Sequence, residues 1–388
     1  MKILHCCLAA FYIDNYGYQE NVLTRVHKQQ GYEVMILAST ETIDKEKGIT
    51  YIKPSSYFTS DGIPVTRLPY VKIFTNGISR KLRIYRGVKN VINDFSPDII
   101  FMHDGQTAAV YPIVKYVKEH PHVKLYIDSH TDFVNSANTW ISRNILHGII
   151  YKRYVQHTIP YTTKYYGTLP ARVDFYTRFY GTPASKTEYL PMGIDDLNID
   201  FSKRLEIRKK IREELDIPQN SFVVVSGGKI NKLKNIHILL QAFKRLQVPN
   251  VNMILFGSMQ DDIKEQVEYL VKSDNRVKYI GWLPSTETYK YFFASDLACF
   301  PGTHSTLWEE SVGYGIPTVF KYWDGITHID RKGNCILLKS VTEETILNLL
   351  SKILEDQEYF EALKDRALSP EVMDYFAYSK IAKKAIEL

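Results

Sequence analysis

Three lysines just beyond a pair of glycines are the residues of this chain best suited to chemistry. They lie in Val225-Ser-Gly-Gly-Lys-Ile-Asn-Lys-Leu-Lys-Asn235, which runs into Ile236-His-Ile-Leu-Leu-Gln-Ala-Phe243. The run Phe222–Val225 reads as a strand ending at Gly227 and Gly228. Asn235 stands where an N-cap would, and Ile236, Leu239, Leu240 and Phe243 recur at helical spacing. Glycine lets backbone come close to a ligand, and a helix start offers N–H groups that lack intrahelical partners. With Lys229, Lys232 and Lys234 beside them, such groups form a site for a multiply charged anion. A βα turn carrying solvated lysines is the alternative on local chemistry alone.

A second cluster is Phe300-Pro-Gly-Thr-His-Ser-Thr-Leu-Trp-Glu-Glu310. Gly302 and small hydroxyl residues lead into a helix that stops at Gly315-Ile-Pro317. Thr306-x-x-Glu309 matches a capping box, which gives Glu309 a structural duty. Glu310 falls outside that box. Its carboxylate can accept from a ribose diol while the N–H groups of Ser305, Thr306 and Leu307 face a phosphate; a surface glutamate favoured by the helix dipole is the alternative.

The first half is sparser. Asp128-Ser-His130-Thr-Asp132 sets a histidine among carboxylates after a strand, either a polar catalytic group or a hydrogen-bonded loop histidine. His103-Asp104 repeats that arrangement more weakly. Gly17, ahead of a helix start, lets backbone approach a phosphate or an acceptor, or only makes the turn.

Strands alternating with helices must position these loops. Strands are expected at Ile3–Leu8, Glu33–Leu37, Asp98–Met102 and Val123–Ile127, with helices at Glu20–Gln29 and around 80–95. The alternation weakens between about 135 and 190. After a charged helix at Lys203–Leu215 a second set begins: strands 222–226, 251–256, 277–280, 297–300 and 317–320, between helices 236–246, 260–272, 286–294 and 306–314. This is an α/β chain with parallel sheets covered on both faces, whose ligands sit at the carboxyl ends of the strands. A length of 388 residues exceeds what one core supports, so two domains hinged near 190–200 are expected.

Composition narrows the class. Hydrophobic residues make up 45% of the chain, which fits a globular rather than a disordered protein, and no apolar run is long enough for a bilayer span. Cys6, Cys7, Cys299 and Cys335 lack metal-ligand spacing and read as reduced core residues of a cytosolic protein. The first residues read as a buried strand and not as a signal peptide. The net charge of +6 is too mild to imply nucleic acid. Lys81, Arg83, Arg86 and Lys89 mark the polar face of the helix around 80–95, and Arg143, Lys152, Arg153, Lys164, Arg172 and Arg178 lie among tyrosines between 140 and 180. Either set is a solvated face or a surface for lipid or a polyanionic acceptor.

Taken in order, these segments resemble family 4 of the retaining, GT-B-fold glycosyltransferases. Gly228-Lys-Ile-Asn-Lys-Leu-Lys-Asn235 is similar to that family's G-R-L-x-x-x-K-G, with Lys229 at the arginine and Lys234 at the lysine. Glu310-Ser-Val-Gly-Tyr-Gly-Ile-Pro317 resembles E-A-M-A-x-G-x-P, and Pro191-Met-Gly-Ile-Asp195 resembles P-N-G-V-D. Gly17 with Glu20 is similar to the family's N-terminal glycine loop, and the tail from Phe376 to its closing helix. The likeness covers nearly the whole chain. One departure stands out: the family's E-x7-E would place its first glutamate at 302, where this chain has Gly302.

The resemblance implies two Rossmann-like doubly wound domains facing each other across a cleft. The N-terminal, acceptor-binding domain would span 1–195 and the nucleotide-sugar domain 196–370, with a helix at 371–388 packing back toward the first. It implies a retaining, metal-independent hexosyltransferase without a cofactor. A nucleotide sugar, in this family most often a UDP-sugar, would be the donor, and a hydroxyl of a glycan or lipid-linked molecule the acceptor. The expected setting is bacterial envelope polysaccharide synthesis in the cytoplasm, with peripheral contact at the inner membrane surface. Lys229 and Lys234 would neutralise the leaving diphosphate, His130 would orient the reacting sugar and Glu310 would hold the ribose. Gly17, Gly228, Ser305, Thr306 and Leu307 would complete the donor site, with Thr303 or His304 in place of the missing glutamate. Gly302 also leaves open a non-catalytic GT-B partner or chaperone, and the fold leaves open a nucleotide-sugar epimerase.

Overall fold

The computed structural model describes residues 1–44, 48–72 and 76–387. It divides into two units, Met1–Pro191 with Ile381–Leu388, and Met192–Lys380.

The first unit is built on the apolar strand Lys2–Cys7 (β1). Glu33–Ser39 (β2) pairs with it on one side. After a hairpin of Glu41–Asp44 (β3) and Gly48–Tyr51 (β4), Ser55–Phe58 (β5) and Pro64–Leu68 (β6) complete that side. Ile99–His103 (β7), Lys124–Ser129 (β8), Lys164–Gly167 (β9) and Thr187–Tyr189 (β10) form the other. The sheet order is β10-β9-β8-β7-β1-β2-β6-β5, parallel except for β5. Strand order therefore reverses beside β1, and the crevice for a ligand in such a sheet lies outside the carboxyl ends of the strands at that point. Adjacent cysteines on β1 point to opposite faces, Cys6 into the cluster with Leu4 and Met102 and Cys7 into that with Tyr12 and Ile36. All four cysteines are buried and free.

Two expectations need correcting here. The helix around 80–95 is two helices, Asn76–Leu82 and Val88–Phe95. Between them Arg83 takes a φ of 50° and Tyr70 bridges to Tyr85, which ends one helix before the next begins. Arg83 leaves the solvated face and donates to the backbone and side-chain oxygens of Gln106, both at 3.3 Å. Between 135 and 190 the weak alternation hides π-helical stretches at Ser142–Tyr151 and Phe175–Tyr180. Their wider turns break the 3.6-residue period, and the rings of Tyr151, Tyr154, Phe175, Tyr176 and Tyr180 fill the core.

The second unit holds Phe222–Ile230 (β11), Val251–Met259 (β12), Val277–Gly281 (β13), Leu297–Phe300 (β14), Thr318–Lys321 (β15) and Cys335–Leu338 (β16). All pair in parallel in the order β13-β12-β11-β14-β15-β16. The reversal falls between β11 and β14. Val223 and Val225 pack toward Trp308 and Phe320, and Val224 toward Leu239 and Leu255, so both faces of β11 are covered.

β11 outruns its expected end at 226. Gly228, Lys229 and Ile230 pair with Gly257, Ser258 and Met259 of β12. Gly228 and Gly257 have φ of 104° and 119°, and a Cβ on Gly257 would stand 1.9 Å from the Gly228 carbonyl oxygen. The glycines thus let two strands approach; they do not form the βα turn.

Candidate active site

At the reversal in the second unit, β11 ends in a short turn, Lys232–Lys234, ahead of the helix Ile236–Arg245. Lys229 is exposed on the last residues of the strand, and Lys232 also faces solvent. Lys234 turns inward. Its Nζ donates to the carbonyls of Thr303 at 2.6 Å and His304 at 2.9 Å, which leaves one N–H direction of the ammonium beyond these two bonds. Burial lowers its pKa to about 8. Asn235 does not cap the helix as expected. It sits in the left-handed region at φ 54°, and its amide donates to the Pro301 carbonyl at 2.9 Å. The side chains that looked like a phosphate turn and a cap therefore clamp the loop after β14.

That loop lies directly on the turn. Thr303 N–H donates to Leu233 O at 3.0 Å, and Trp323 Nε1 donates to Gly302 O at 3.1 Å. A Cβ on Gly302 would stand 2.3 Å from Lys234 Cα and 2.4 Å from its carbonyl carbon and oxygen. Gly228 lies against Leu307, whose Cδ1 a Cβ would meet at 3.1 Å. Ser305, Thr306 and Leu307 precede the Glu310 N–H to Thr306 O bond at 3.0 Å, so their own N–H groups point out of the helix start.

The capping box is not formed. Thr306 makes no side-chain cap bond, and Glu309 is fully buried, bridging His304 Nε2 at 2.8 Å and His328 Nε2 at 2.9 Å. Burial alone would raise the Glu309 carboxyl, but His304 and His328 outweigh it and hold the pKa at about 2. Glu310 is only partly buried, and Thr288 Oγ1 donates to it at 3.2 Å. With one neutral partner, burial pushes its carboxyl up to about 8. Neighbouring glutamates thus differ in charge at neutral pH. His304 is committed to Glu309, while Thr303 contributes backbone on both sides of the clamp.

In the first unit the loop after β1 is held by buried Arg67, which donates to Tyr12 O at 3.1 Å and contacts Asp14 Oδ2 at 3.3 Å. Gly17 lies partly exposed in this loop, before the helix Gln19–Gln29. His130 follows β8 with its Nε2 buried and 3.6 Å from Asp128 Oδ2. Burial opposes charge on His130, yet Glu20 and Asp128 outweigh it and raise the pKa to about 9. His103 Nδ1 lies 2.8 Å from the same Asp128 oxygen. Asp132 serves its own loop, accepting from the N–H groups of Val134 and Asn135 at 2.9 and 2.8 Å and pairing with Arg172 at 3.2 Å.

Sequence reading named Glu20 only beside Gly17 and passed over His5, His27, Thr288, Trp323 and His328. Glu20, Thr24 and His27 repeat at i, i+4 and i+7 on a buried helix face, which was a legible signal; the others had none. Imidazole and carboxylate atoms of Glu20, His103 and His130 lie within 4.8 Å of one another, as do those of His304, Glu309 and His328.

Residues 207–369 match the family model described as glycosyl transferases group 1. A lipopolysaccharide core biosynthesis glycosyltransferase of Rhizobium meliloti is 28% identical over 172 residues, covering 41% of this chain and 48% of that protein. The chain spans about half the length of the curated relatives it matches. Among solved structures, Anabaena HepE in complex with UDP aligns with a TM-score of 0.69 at 18% identity, over 100% of this chain and 99% of that one. The UDP-GlcNAc 2-epimerase of Neisseria meningitidis aligns at 0.63 and 13%, over 100% and 99%. The fold is GT-B. The matched segment carries every expected donor residue except Gly17, which lies with His130 in the first unit. No helix among the described residues is long and apolar enough to cross a membrane.

Proposed function

We propose that the protein is a retaining glycosyltransferase that moves a sugar from a UDP-sugar to a hydroxyl of a glycan or lipid-linked acceptor in envelope polysaccharide synthesis. The observation that carries this reading is Lys234, a half-buried ammonium at the β11/β14 reversal whose hydrogen-bond partners among the described residues are carbonyls. Among the described residues no carboxylate hydrogen-bonds to it, so an arriving diphosphate would be its first counter-ion. The UDP bound by HepE, a protein of the same fold, supports the choice of nucleotide.

In this reading Lys234 and Lys229 draw off charge that grows on the diphosphate as the glycosidic bond breaks, supplying what a metal ion would otherwise supply. Gly228 and the N–H groups of Ser305, Thr306 and Leu307 line the phosphates. Glu310 accepts from the ribose diol. His130 donates to the reacting sugar, and the acceptor hydroxyl attacks from the face the nucleotide leaves. The acceptor half is assigned a lipid-facing patch. Val134 and Trp140 are 84% and 72% exposed, Ile141, Ile145 and Ile149 follow at four-residue spacing, and Arg143 and Arg153 flank them. Apolar residues between cations suit an anionic leaflet.

Incubating the protein with a panel of nucleotide sugars, with and without anionic vesicles, tests the reading. A UDP-sugar should raise Tm, and acceptor-bearing vesicles should sediment the protein and accelerate UDP release. Binding without transfer or hydrolysis would favour the non-catalytic partner that Gly302 suggests. Sugar isomerised without any acceptor would favour the epimerase.

The pH profile of UDP binding follows from two shifts. Lys234, lowered to about 8, binds as the ammonium, so affinity is full below pH 8 and lost as pH rises. Glu310, raised to about 8, binds ribose as the carboxylate, so affinity is full above pH 8 and lost as pH falls. Titration calorimetry across pH 6 to 10 should place the tightest binding near 8, and Glu310→Gln should flatten the acid limb alone. A single affinity over that range would contradict both roles.

A further inference from the structure

Beside the clamped loop of the second unit, three side chains carry ligand chemistry that the proposed reaction leaves unused. His304 follows β14, Glu309 lies on the helix Leu307–Gly313, and His328 lies between β15 and β16. His304 Nε2 stands 2.8 and 3.1 Å from the two Glu309 carboxylate oxygens, and His328 Nε2 stands 2.9 Å from the first of them. One ligand atom from each residue lies within 4.8 Å of the other two. The Glu309 side chain is wholly inside the protein, and only 12% of the His304 side chain and 3% of that of His328 meet solvent.

A carboxylate buried this deeply needs positive charge beside it. Among the described residues no lysine or arginine reaches Glu309, so the charge comes from an imidazolium or from a cation that the imidazoles hold. One imidazolium would be enough for neutrality. Two imidazoles instead bring the same ring nitrogen to one carboxylate oxygen, each from a different loop, which makes a set of three metal ligands. The donors select the ion. Magnesium and calcium ask for oxygen alone, and copper(I) for sulfur, whereas two imidazoles and a carboxylate suit zinc. Zinc bonds of about 2.0–2.2 Å put neighbouring ligand atoms roughly 3.0–3.4 Å apart, so small side-chain rotations would open the present spacing to fit. A second observation points to a ligand here. The indole of Trp308 is fully buried, stands edge to face with His304 at 5.3 Å between ring centroids, and has no acceptor for its Nε1–H among the described residues. A solvent molecule on the open position of a three-ligand zinc is an acceptor of the kind this N–H lacks.

We propose that His304, Glu309 and His328 form a zinc site, completed by one exchangeable solvent ligand, that fastens the loop after β14 to the segment after β15. Trp323 Nε1 ties the same two stretches through the Gly302 carbonyl. By holding His304, the ion also fixes one of the two carbonyls to which Lys234 donates. No step of the transfer proposed above passes through the zinc, and the site stands or falls apart from that reading.

Tag-free protein, stripped with a chelator and reloaded with zinc chloride, tests the site by metal analysis after gel filtration. One zinc per chain should stay bound at micromolar free metal. Cobalt(II) in its place should give the visible absorption bands of an imidazole-ligated site. Because the ion binds the folded chain, zinc should raise Tm. Glu309→Gln and His328→Asn should each weaken zinc binding about tenfold or more, the loss that removing even an outer-shell partner brings, and should cancel the rise in Tm. His130→Gln, in the other cluster of imidazole and carboxylate, should bind zinc as the parent does. Zinc held by the parent only at millimolar concentration, an adventitious ion only, would overturn the proposal. Parental affinity in a folded His328→Asn, or zinc lost from His130→Gln instead, would do the same. Should both ligand variants fail to fold, proton NMR of the cobalt(II)-loaded parent decides. Two paramagnetically shifted imidazole N–H signals are expected, and fewer than two refute the site.

Discussion

Lys234→Ala should lower kcat about 100- to 1,000-fold, the effect of removing one preorganised group aimed at developing charge, about 3–4 kcal/mol. The same substitution also undoes the clamp on the Thr303 and His304 carbonyls. Bonds to a charged donor contribute about 1.5–3 kcal/mol each, so Tm should fall as well. Lys229 separates the two effects. It is exposed and has no hydrogen-bond or ion-pair partner recorded among the described residues, so Lys229→Ala should leave stability within about 0.5 kcal/mol of the parent. Its loss of kcat would then measure the chemistry alone. Lys234→Met keeps the stem while removing the charge, and should lose turnover as severely as the alanine variant. Normal turnover in Lys234→Ala would remove the phosphate assignment. A fall in Tm with kcat intact at permissive temperature would leave Lys234 as a loop anchor only.

Strand and helix positions were legible wherever a strand carried a short continuous apolar run or a helix carried its apolar residues on one face. The segments from 222 to 320 and Lys2–Cys7 have that pattern, and their strands lie within a few residues of expectation. What failed was the use of polar residues near element ends. Asn235 and Thr306 have capping side chains in capping positions, but neither caps: the Asn235 amide goes to a carbonyl 66 residues away, and Glu309 of the expected box is held by His304 and by His328 from beyond β15. Gly227 and Gly228 read as a turn because a turn needs only local information. The close approach to Phe256 and Gly257 that requires them is a property of the sheet. Glu309 and Glu310 were distinguished by sequence, but the capping box expected of Glu309 is absent and its carboxylate is held by His304 and His328 instead. His130 and Asp128 share a short segment and were visible together. Their partners His5, His27 and Ala382 are scattered over the chain, and no local spacing announces a bond between residues 27 and 382.

Gly302→Ala should be among the most damaging single-methyl additions in the second unit. The atoms a Cβ would meet, Lys234 Cα at 2.3 Å and its carbonyl carbon and oxygen at 2.4 Å, are backbone and cannot swing aside. Either the turn Lys232–Lys234 or the stretch 301–303 must move, and both belong to the proposed donor site. Movement of either breaks the Thr303 N–H to Leu233 O bond and draws Lys234 Nζ off its two carbonyls. Overpacking costs about 1–3 kcal/mol, and contact with backbone argues for the upper end, together with a loss of UDP affinity of about tenfold or more. The contrast with Gly302→Glu is the informative part. If the family's glutamate had merely been lost from an otherwise receptive site, restoring it would improve transfer. With the loop lying against Lys234, the longer side chain must first displace what the alanine displaces, so it should bind UDP no better than Gly302→Ala and melt no higher. A gain in turnover from Gly302→Glu, or an alanine variant with parental Tm and UDP affinity, would show that the close approach of the two loops is not what keeps a glycine at this position.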